Sequence, residues 1–598
     1  MKTGYIFVSL ALLAILAQPG AAQTETFRSQ ETGLSFDYPV DMTINIDVSD
    51  PEGVIKLSGP EGISVIFSSI KSSSATLDSM VDWFEEVYSE AFLSFQTLST
   101  TTKSVQGSDG CVVKEYLMEV EGDEYITSLQ MRIMYIQGDD RVYTATFLST
   151  ESFYDRADQL YFTDILDSIR IYPVDETLET NLPGFPKMTS EAIWSSPALA
   201  DLDGDGSLEI IVGTNENKLH IWKVDGRELS GFPVSAENII RSSPAVGDLD
   251  GDGLLDIAVG SDDGKLYAWS SKGKALPGFP KVTEGSIVSS PALGDLDGDS
   301  RIDIVVGSWD TGIYAWKGDG SLICGYPIIT GSSAVGGIWS SPAIGDLDGD
   351  GGLDVAIGIS RYESGLSKLL DSIVSEGRVF ALKGSDGSAL ENFPYNMPFN
   401  SLIGYSSPVL GDLDGDGRLD IILGVTDGIY ALSLEGEDLD GFPVETGGSL
   451  QDSFLALGDV DGDGSLEIAA GARDGRLYLI RSDGSSYPGY PIQTGGCIRH
   501  VILGDIDGDG QQEILGGSTD NRVHAWKLDG SEVWGFPKVT MGDIGTSVAM
   551  VDLEGDGTLE LVATSYDGAL YVWQISSSFG SMAWPMFRQN LENTGVAH

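Results

Sequence analysis

The stretch Asp201 to Glu209 puts four carboxylates and two glycines into nine residues. Asp201, Asp203 and Asp205 stand at positions 1, 3 and 5, and Glu209 at 9. Ser207, at 7, offers its backbone carbonyl. Carboxylates crowded this closely repel one another unless a cation sits among them. Ca²⁺ suits the set, because it takes about six to eight oxygens in a flexible shell, whereas Mg²⁺ keeps its waters and demands an octahedron. Gly204 and Gly206 let the backbone fold tightly around the ion. Protein groups fill every ligand position, so the expected ion holds the fold and does no chemistry.

The stretch recurs eight times. The second copy supplies Asp248, Asp250, Asp252 and Asp256; the third Asp295, Asp297, Asp299 and Asp303, with Ser300 in a glycine place. The fourth supplies Asp346, Asp348, Asp350 and Asp354, and the fifth Asp412, Asp414, Asp416 and Asp420. The sixth has Asp459, Asp461, Asp463 and Glu467, and the seventh Asp505, Asp507, Asp509 and Glu513. The eighth has Asp552, Glu554, Asp556 and Glu560, with Glu554 one methylene too long. First residues are spaced by 47, 47, 51, 66, 47, 46 and 47. A fixed period of this size marks a repeat architecture in which neighbours bury one another.

The elements that must position these loops follow from each repeat. A short apolar stretch such as Ser196 to Leu199 precedes the loop, and an apolar run such as Leu208 to Val212 follows it. A turn leads to an alternating strand ending in Trp222, Trp269, Trp316, Trp526 or Trp573, with Leu432 and Ile480 as departures. A Gly-Phe-Pro marker or its Tyr variant closes the unit, from Phe185 to Phe536, with Trp584-Pro585 as a last relative. Four short antiparallel strands without a helix read as a propeller blade. The expectation is a β-propeller over 184–598 with eight blades, seven being the alternative. Either the Phe185 strand or the Trp584 segment would complete a blade begun at the other end.

The loop start also fits an EF-hand, but that motif needs an acid at position 12 and flanking helices. Position 12 is Val212 or Val259, and both flanks are strand-like. With its acid at position 9, the region resembles the FG-GAP (VCBS) repeat family, of which the integrin α-subunit propeller is a member. The resemblance implies a propeller, Ca²⁺ on one face, and binding or adhesion as the role.

Recognition is expected on the face away from the loops. Seven residues before each first Asp stand Trp194, Arg241, Val288, Trp339, Tyr405, Asp452, Ile498 and Gly545, whereas the adjoining positions, often Ser-Ser, barely change. Turns on the same face carry Trp309, Arg473 and Tyr566. The insertion Ile359 to Gly377, with a short helix suggested by Leu366, Leu369, Leu370 and Ile373, falls there too. Repeat-constant positions build a scaffold, so Trp194, Arg241, Trp309, Trp339, Tyr405, Arg473 and Tyr566 are the candidate ligand-binding residues.

Residues 24–173 differ. Strands are expected at Leu34 to Val40, Val54 to Leu57, Ile63 to Ile70, Cys111 to Glu119, Tyr125 to Gln137 and Arg141 to Ser149. Helices are expected at 75–95 and 154–169. The order suggests an α+β sandwich. Tyr38-Pro39 and the Ile165 to Ile171 stretch make the segment similar to the PsbP-like family, which implies a non-catalytic accessory role. Residues 174–183 read as a linker, giving a multidomain chain. Lys2, the apolar run Tyr5 to Ala17 and Gly20-Ala21-Ala22 read as a signal peptide over 1–22.

The chain carries 91 acidic against 34 basic residues, a net charge of −57. That makes nucleic acid and anionic membrane surfaces poor partners, so no nucleic acid and no membrane insertion after signal cleavage are expected. Cys111, Cys324 and Cys497 form no disulfide or metal pattern and are expected to be buried single thiols. His220 and His524 take the strand place of Tyr267 and Tyr314, as structural residues do. His500, in a Ser place beside Arg499, has no acid–base partner assignable from sequence. No nucleophile motif, phosphate loop or open metal position is present. The expectation is a secreted or cell-surface module that binds an extracellular protein or glycan, not an enzyme. The alternative is a polysaccharide lyase, since eight-bladed calcium-bearing lyases resemble the scaffold. Quinone-dependent dehydrogenases share eight blades, but no residues match their cofactor ligands.

Overall fold

The structure is a computed structural model that describes residues 181–598, apart from 332–336, 363–374, 399–400, 534, 577–579, 591–592 and 598. Before residue 181 it describes the strands named below and Val81. The chain divides into two compact units, Met1–Glu176 and Thr177–His598.

In the first unit, Thr24–Ser29, Leu34–Pro39 and Arg170–Ile171 form one antiparallel sheet. A second, seven-stranded sheet runs in the spatial order Thr43–Asp47, Val54–Ser58, Ser64–Lys71, Arg141–Thr150, Ile126–Gln137, Gly110–Glu121 and Ser94–Thr102. Tyr116, Met131, Ile133 and Phe147 are buried in it. All six expected strands are present, and four more join them. Phe95, expected to end a helix, instead lies in the strand Ser94–Thr102, where β-branched Thr97 and Thr100 to Thr102 favour the extended chain. Val81 is helical and buried. The rest of that helix and the whole of the one at 154–169 lie outside the described residues, as do the signal segment and the body of the 359–377 insertion.

The second unit is built from one pattern. In the first repeat, Ala198–Ala200, Glu209–Gly213, Lys218–Trp222 and Val234–Ser235 pair in sequence order, all antiparallel. Among the described residues there are eight such four-stranded sheets. Second strands such as Glu209–Gly213 and Asp303–Gly307 are buried throughout, because each sheet is covered on both faces by its neighbours. This explains their unbroken apolar runs. The core therefore lies between sheets. Trp222, Ile210 and Val212 of the first pack with Leu553, Val562 and Val572 of the last.

The last sheet is completed by residues from the start of the unit. Lys187–Met188 pairs with Ala569–Ser576, so the Phe185 segment closes the circle. The Trp584 segment has another place. Residues 581–590 and 593–597 run across the first strands, with backbone bonds between Leu503 and Trp584 (2.9 and 3.0 Å), Met550 and Pro585 (2.9 Å), Ile344 and Thr594 (2.9 Å), and Leu410 and Gly595 (2.8 Å). The buried Arg588 guanidinium donates to the carbonyls of Pro342 and Pro408, each at 2.7 Å. Asn593 donates to those of Pro244 and Pro291. These prolines follow the Ser-Ser pairs, so this segment fills the centre of the ring.

Candidate functional site

Each acidic loop joins a first strand to a second. Position 1 folds the loop around itself: the Asp201 carboxylate accepts the N–H groups of Gly204 (2.7 Å) and Gly206 (3.0 Å). Gly206 has φ +92°, and Ser300, its counterpart in the third loop, takes φ +68° despite its side chain. Position 9 is different. Glu209, Asp256, Asp303, Asp354, Asp420, Glu467, Glu513 and Glu560 are all buried. Each accepts the N–H of position 2, as Glu209 does from Leu202 (2.8 Å) and Glu560 from Leu553 (2.9 Å). Burial, with neighbouring carboxylates adding to it, raises these acids well above the usual range. Asp303, Asp420, Glu467, Glu513 and Glu560 reach about 7, and Asp256 and Asp354 about 6.

The residues fit a metal ion. Oxygens of Asp201, Asp203 and Glu209 converge, as do those of Asp248, Asp250 and Asp256; Asp295, Asp297 and Asp299; Asp346, Asp348 and Asp354; and Asp412, Asp414 and Asp420. Buried oxygens of Asp295, Asp297, Asp303 and Asp346 have no hydrogen-bond partner. Such atoms are costly unless a cation or donor meets them.

A basic side chain that sequence reasoning missed reaches four of the loops. Lys223 pairs with Asp203 (2.6 Å) and Asp205 (2.7 Å), and lies 3.6 Å from Glu209. Lys317 pairs with Asp297 and Asp299, Lys383 with Asp348 and Asp350, and Lys527 with Asp507 and Asp509. Each stands at the end of a third strand, Lys317 and Lys383 as its last residue and Lys223 and Lys527 just after it. The other loops have Ser270, Ser433, Arg481 and Gln574 in that place.

The opposite face carries a bowl of about 400 Å³. Of the seven candidate binding residues, Trp194, Arg241, Trp339, Tyr405, Arg473 and Tyr566 line it. Trp309 does not; it packs behind Trp339 with ring centroids 4.3 Å apart. Trp339 meets Tyr405 at 4.2 Å, and Trp194 meets Tyr566 at 5.6 Å. Arg241 lies over Trp194 (4.5 Å) and pairs with Asp262 (3.0 Å). Arg473 pairs with Asp452. Phe587, from the segment that fills the ring, is part of the lining.

Beneath the rim runs a ladder of serines. The N–H of Ser547 donates to Ser196 Oγ, Ser196 to Ser243, Ser243 to Ser290, Ser290 to Ser341 and Ser341 to Ser407, at 2.8–3.1 Å. These bonds explain why the Ser-Ser positions repeat. The ladder breaks at Phe454 and His500, which stack on each other at 4.3 Å.

Family comparison matches the FG-GAP-like repeat at residues 201–259, 248–306, 295–357, 459–516 and 505–563. The chain carries five FG-GAP-like repeats. Each matched segment begins on position 1 of an acidic loop and runs into the next sheet. The PsbP-like likeness of the N-terminal segment gains no support from these comparisons. No curated protein matches the chain. Among solved structures it is similar to the V. cholerae biofilm matrix protein Bap1, at 15% identity over 71% of this chain and 97% of that one, with a TM-score of 0.37. It is also similar to the Dos1 propeller, at 13% identity over 67% and 97%, with a TM-score of 0.41.

The sequence places His500 in a Ser position beside Arg499, but Phe454 was missed as part of the same departure. The Ser-Ser positions do change, at Ser453-Phe454 and Arg499-His500, and both pairs stand where the ladder breaks. Phe454, Arg499 and His500 line the bowl, whereas Ile498 does not. A register shift between Ile498 and Val501 alters the strand there. His500 is buried, and burial with the adjacent Arg499 charge lowers it to about 3, so its imidazole is neutral. Its Nδ1 has no partner. His220 and His524 stack on Trp222 and Trp526, as Tyr267 and Tyr314 do on Trp269 and Trp316. Cys111 is buried, but Cys324 is exposed and Cys497 half-buried, so burial of all three does not hold.

Proposed function

We propose that the chain is a secreted or cell-surface recognition module: an eight-bladed, calcium-stapled propeller that seats an extracellular protein or glycan in the bowl opposite its acidic loops. The observation that carries this reading is the convergence of six repeat-variable residues in one cavity, over a scaffold of repeat-constant serines. The aromatics provide broad apolar faces, and Arg241, Arg473 and Arg499 provide donors, a combination suited to recognition. The eight acidic loops would each take one Ca²⁺, structural in role. The signal peptide read at 1–22 supports export.

The test is the double variant W194A/W339A, displayed with wild type on arrays of glycans and extracellular proteins. Binding is expected to vanish in the variant while calcium-dependent melting stays unchanged. Undiminished binding overturns the assignment of the bowl.

A second reading, a uronate lyase, rests on Arg499 lying beside Tyr566 and His500. Arg499 Nη1 donates to the Tyr566 hydroxyl at 3.3 Å. The titration of these groups argues for binding instead. Burial raises the Tyr566 hydroxyl and drives His500 down, leaving neither poised as a base near neutral pH. Unsaturated product from polyuronate substrates, read by ultraviolet absorbance, would reverse that preference.

A further inference from the structure

Three arginines line the bowl, and they are not equivalent. Arg241 is neutralised by Asp262 and Arg473 by Asp452, the latter through Nε at 2.7 Å. Arg499 has no carboxylate in ion-pair contact among the described residues. Its guanidinium meets only the Tyr566 hydroxyl, through Nη1, and the Cys497 thiol, both neutral groups, and its buried Nε has no hydrogen-bond partner. Asp452 acts on it from a distance, but that carboxylate is already held by Arg473. A half-buried guanidinium with an orphaned donor is costly unless an anion completes it. On a chain of net charge −57 such a cation is out of character.

The surroundings narrow the anion. A guanidinium prefers a planar, two-oxygen partner. Next to Arg499, the buried His500 is neutral and adds no second charge. The rim presents Trp194 and Tyr405 with 41% and 37% of their surfaces exposed. Flat aromatic faces take the C–H face of a pyranose ring. The Phe587 ring packs against Phe454 below, so the bowl receives the end or one unit of a chain and is not threaded by it.

We propose that Arg499 binds a sugar carboxylate, and that the bowl selects acidic saccharides over neutral ones. This rests on the reading of the bowl as the recognition site. Among the described residues a register shift in a first strand occurs only between Ile498 and Val501, the stretch that holds Arg499, so the specificity is asymmetric within an otherwise repetitive ring.

The test uses the full chain in calcium, with calorimetric titration of trisaccharides. The probes are uronate trimers of galacto, manno and gluco configuration, sialyl-lactose, the carboxyl-reduced neutral trimers and an aspartate-rich heptapeptide. At least one acidic saccharide is expected to bind tenfold or more tighter than its neutral counterpart. R499Q should erase that preference, and R499K should keep part of it, each with an unchanged melting temperature. Equal affinity for acidic and neutral sugars, or a preference that survives R499Q, overturns the proposal while the bowl remains a glycan site. Binding of the peptide with no sugar bound also overturns it, leaving a protein-recognition site. If W194A/W339A alters none of these titrations, the recognition reading falls as well.

Discussion

At the level of single residues, the acidic loops are not equal. Lys223, Lys317, Lys383 and Lys527 place an ammonium among carboxylates that would hold a divalent ion, and the other four loops lack it. Contact with Asp203 first, then Asp205, raises Lys223 above its ordinary value, so it is charged at any relevant pH. A cation beside a cation weakens both, by an amount that water screening keeps modest. The expected outcome is two classes of site. K223M should tighten calcium binding at its loop roughly threefold to tenfold, measured by titration with metal counting. His524 gives a second expectation. Burial lowers it, but hydrogen bonds to Asp520 and Glu532 outweigh that and bring it to about 9. Its folded value lies above its unfolded one, so its contribution is complete below about 6.5 and is lost as pH rises toward 9. The melting temperature should fall across that window, and H524Q should flatten the fall. An identical slope in the variant would refute the assignment.

At the scale of elements, the segment 581–597 and the strand Lys187–Met188 do work that their sequences only half announce. Arg588 is buried and feeds two proline carbonyls, so R588A leaves those acceptors dry. A loss of about 3 kcal/mol is expected, read by denaturant unfolding. The acidic loops and four-strand repeats were legible because their spacing is dictated by local geometry: carboxylates at 1, 3, 5 and 9, and an aromatic at the end of the third strand. The lining of the bowl was legible because its positions vary between repeats against a constant background. Phe454 escaped notice, and Arg499 entered only as the neighbour of His500, because they replace scaffold serines, and a departure shows only when the whole ladder is laid out. Trp584 was placed among possible blade strands because its Trp-Pro resembles the markers. What decides its position is pairing with Leu503, a partner some eighty residues away that no local pattern encodes.

For the whole molecule, calcium is expected to govern stability more than any single contact. Eight buried position-9 carboxylates, pushed toward protonation by burial and by the neighbouring carboxylates, must either take up a proton or meet a cation, which makes the metal-free ring costly near pH 7. EGTA should lower the melting temperature by more than ten degrees or so, since ligand binding stabilises by roughly RT ln(1 + [L]/Kd) at each site. Metal analysis should find several ions per chain, and an EGTA-insensitive melt with none bound would contradict the loop geometry. The pairing of Lys187–Met188 with Ala569–Ser576 carries a consequence for the order of folding. Each acidic loop closes within one repeat, and so can form as soon as that repeat exists. The last sheet joins segments 379 residues apart in the contact of Thr189 with Gly568. By loop-closure entropy, that join costs about 2 kcal/mol more than joining the ends of a single repeat. Until it forms, two sheet faces stand bare at the open ends of an arc, each seeking a neighbour. The arc's other possible neighbour is a second arc, so dilution during refolding should favour sealed rings, and crowding should favour chains sealed to one another.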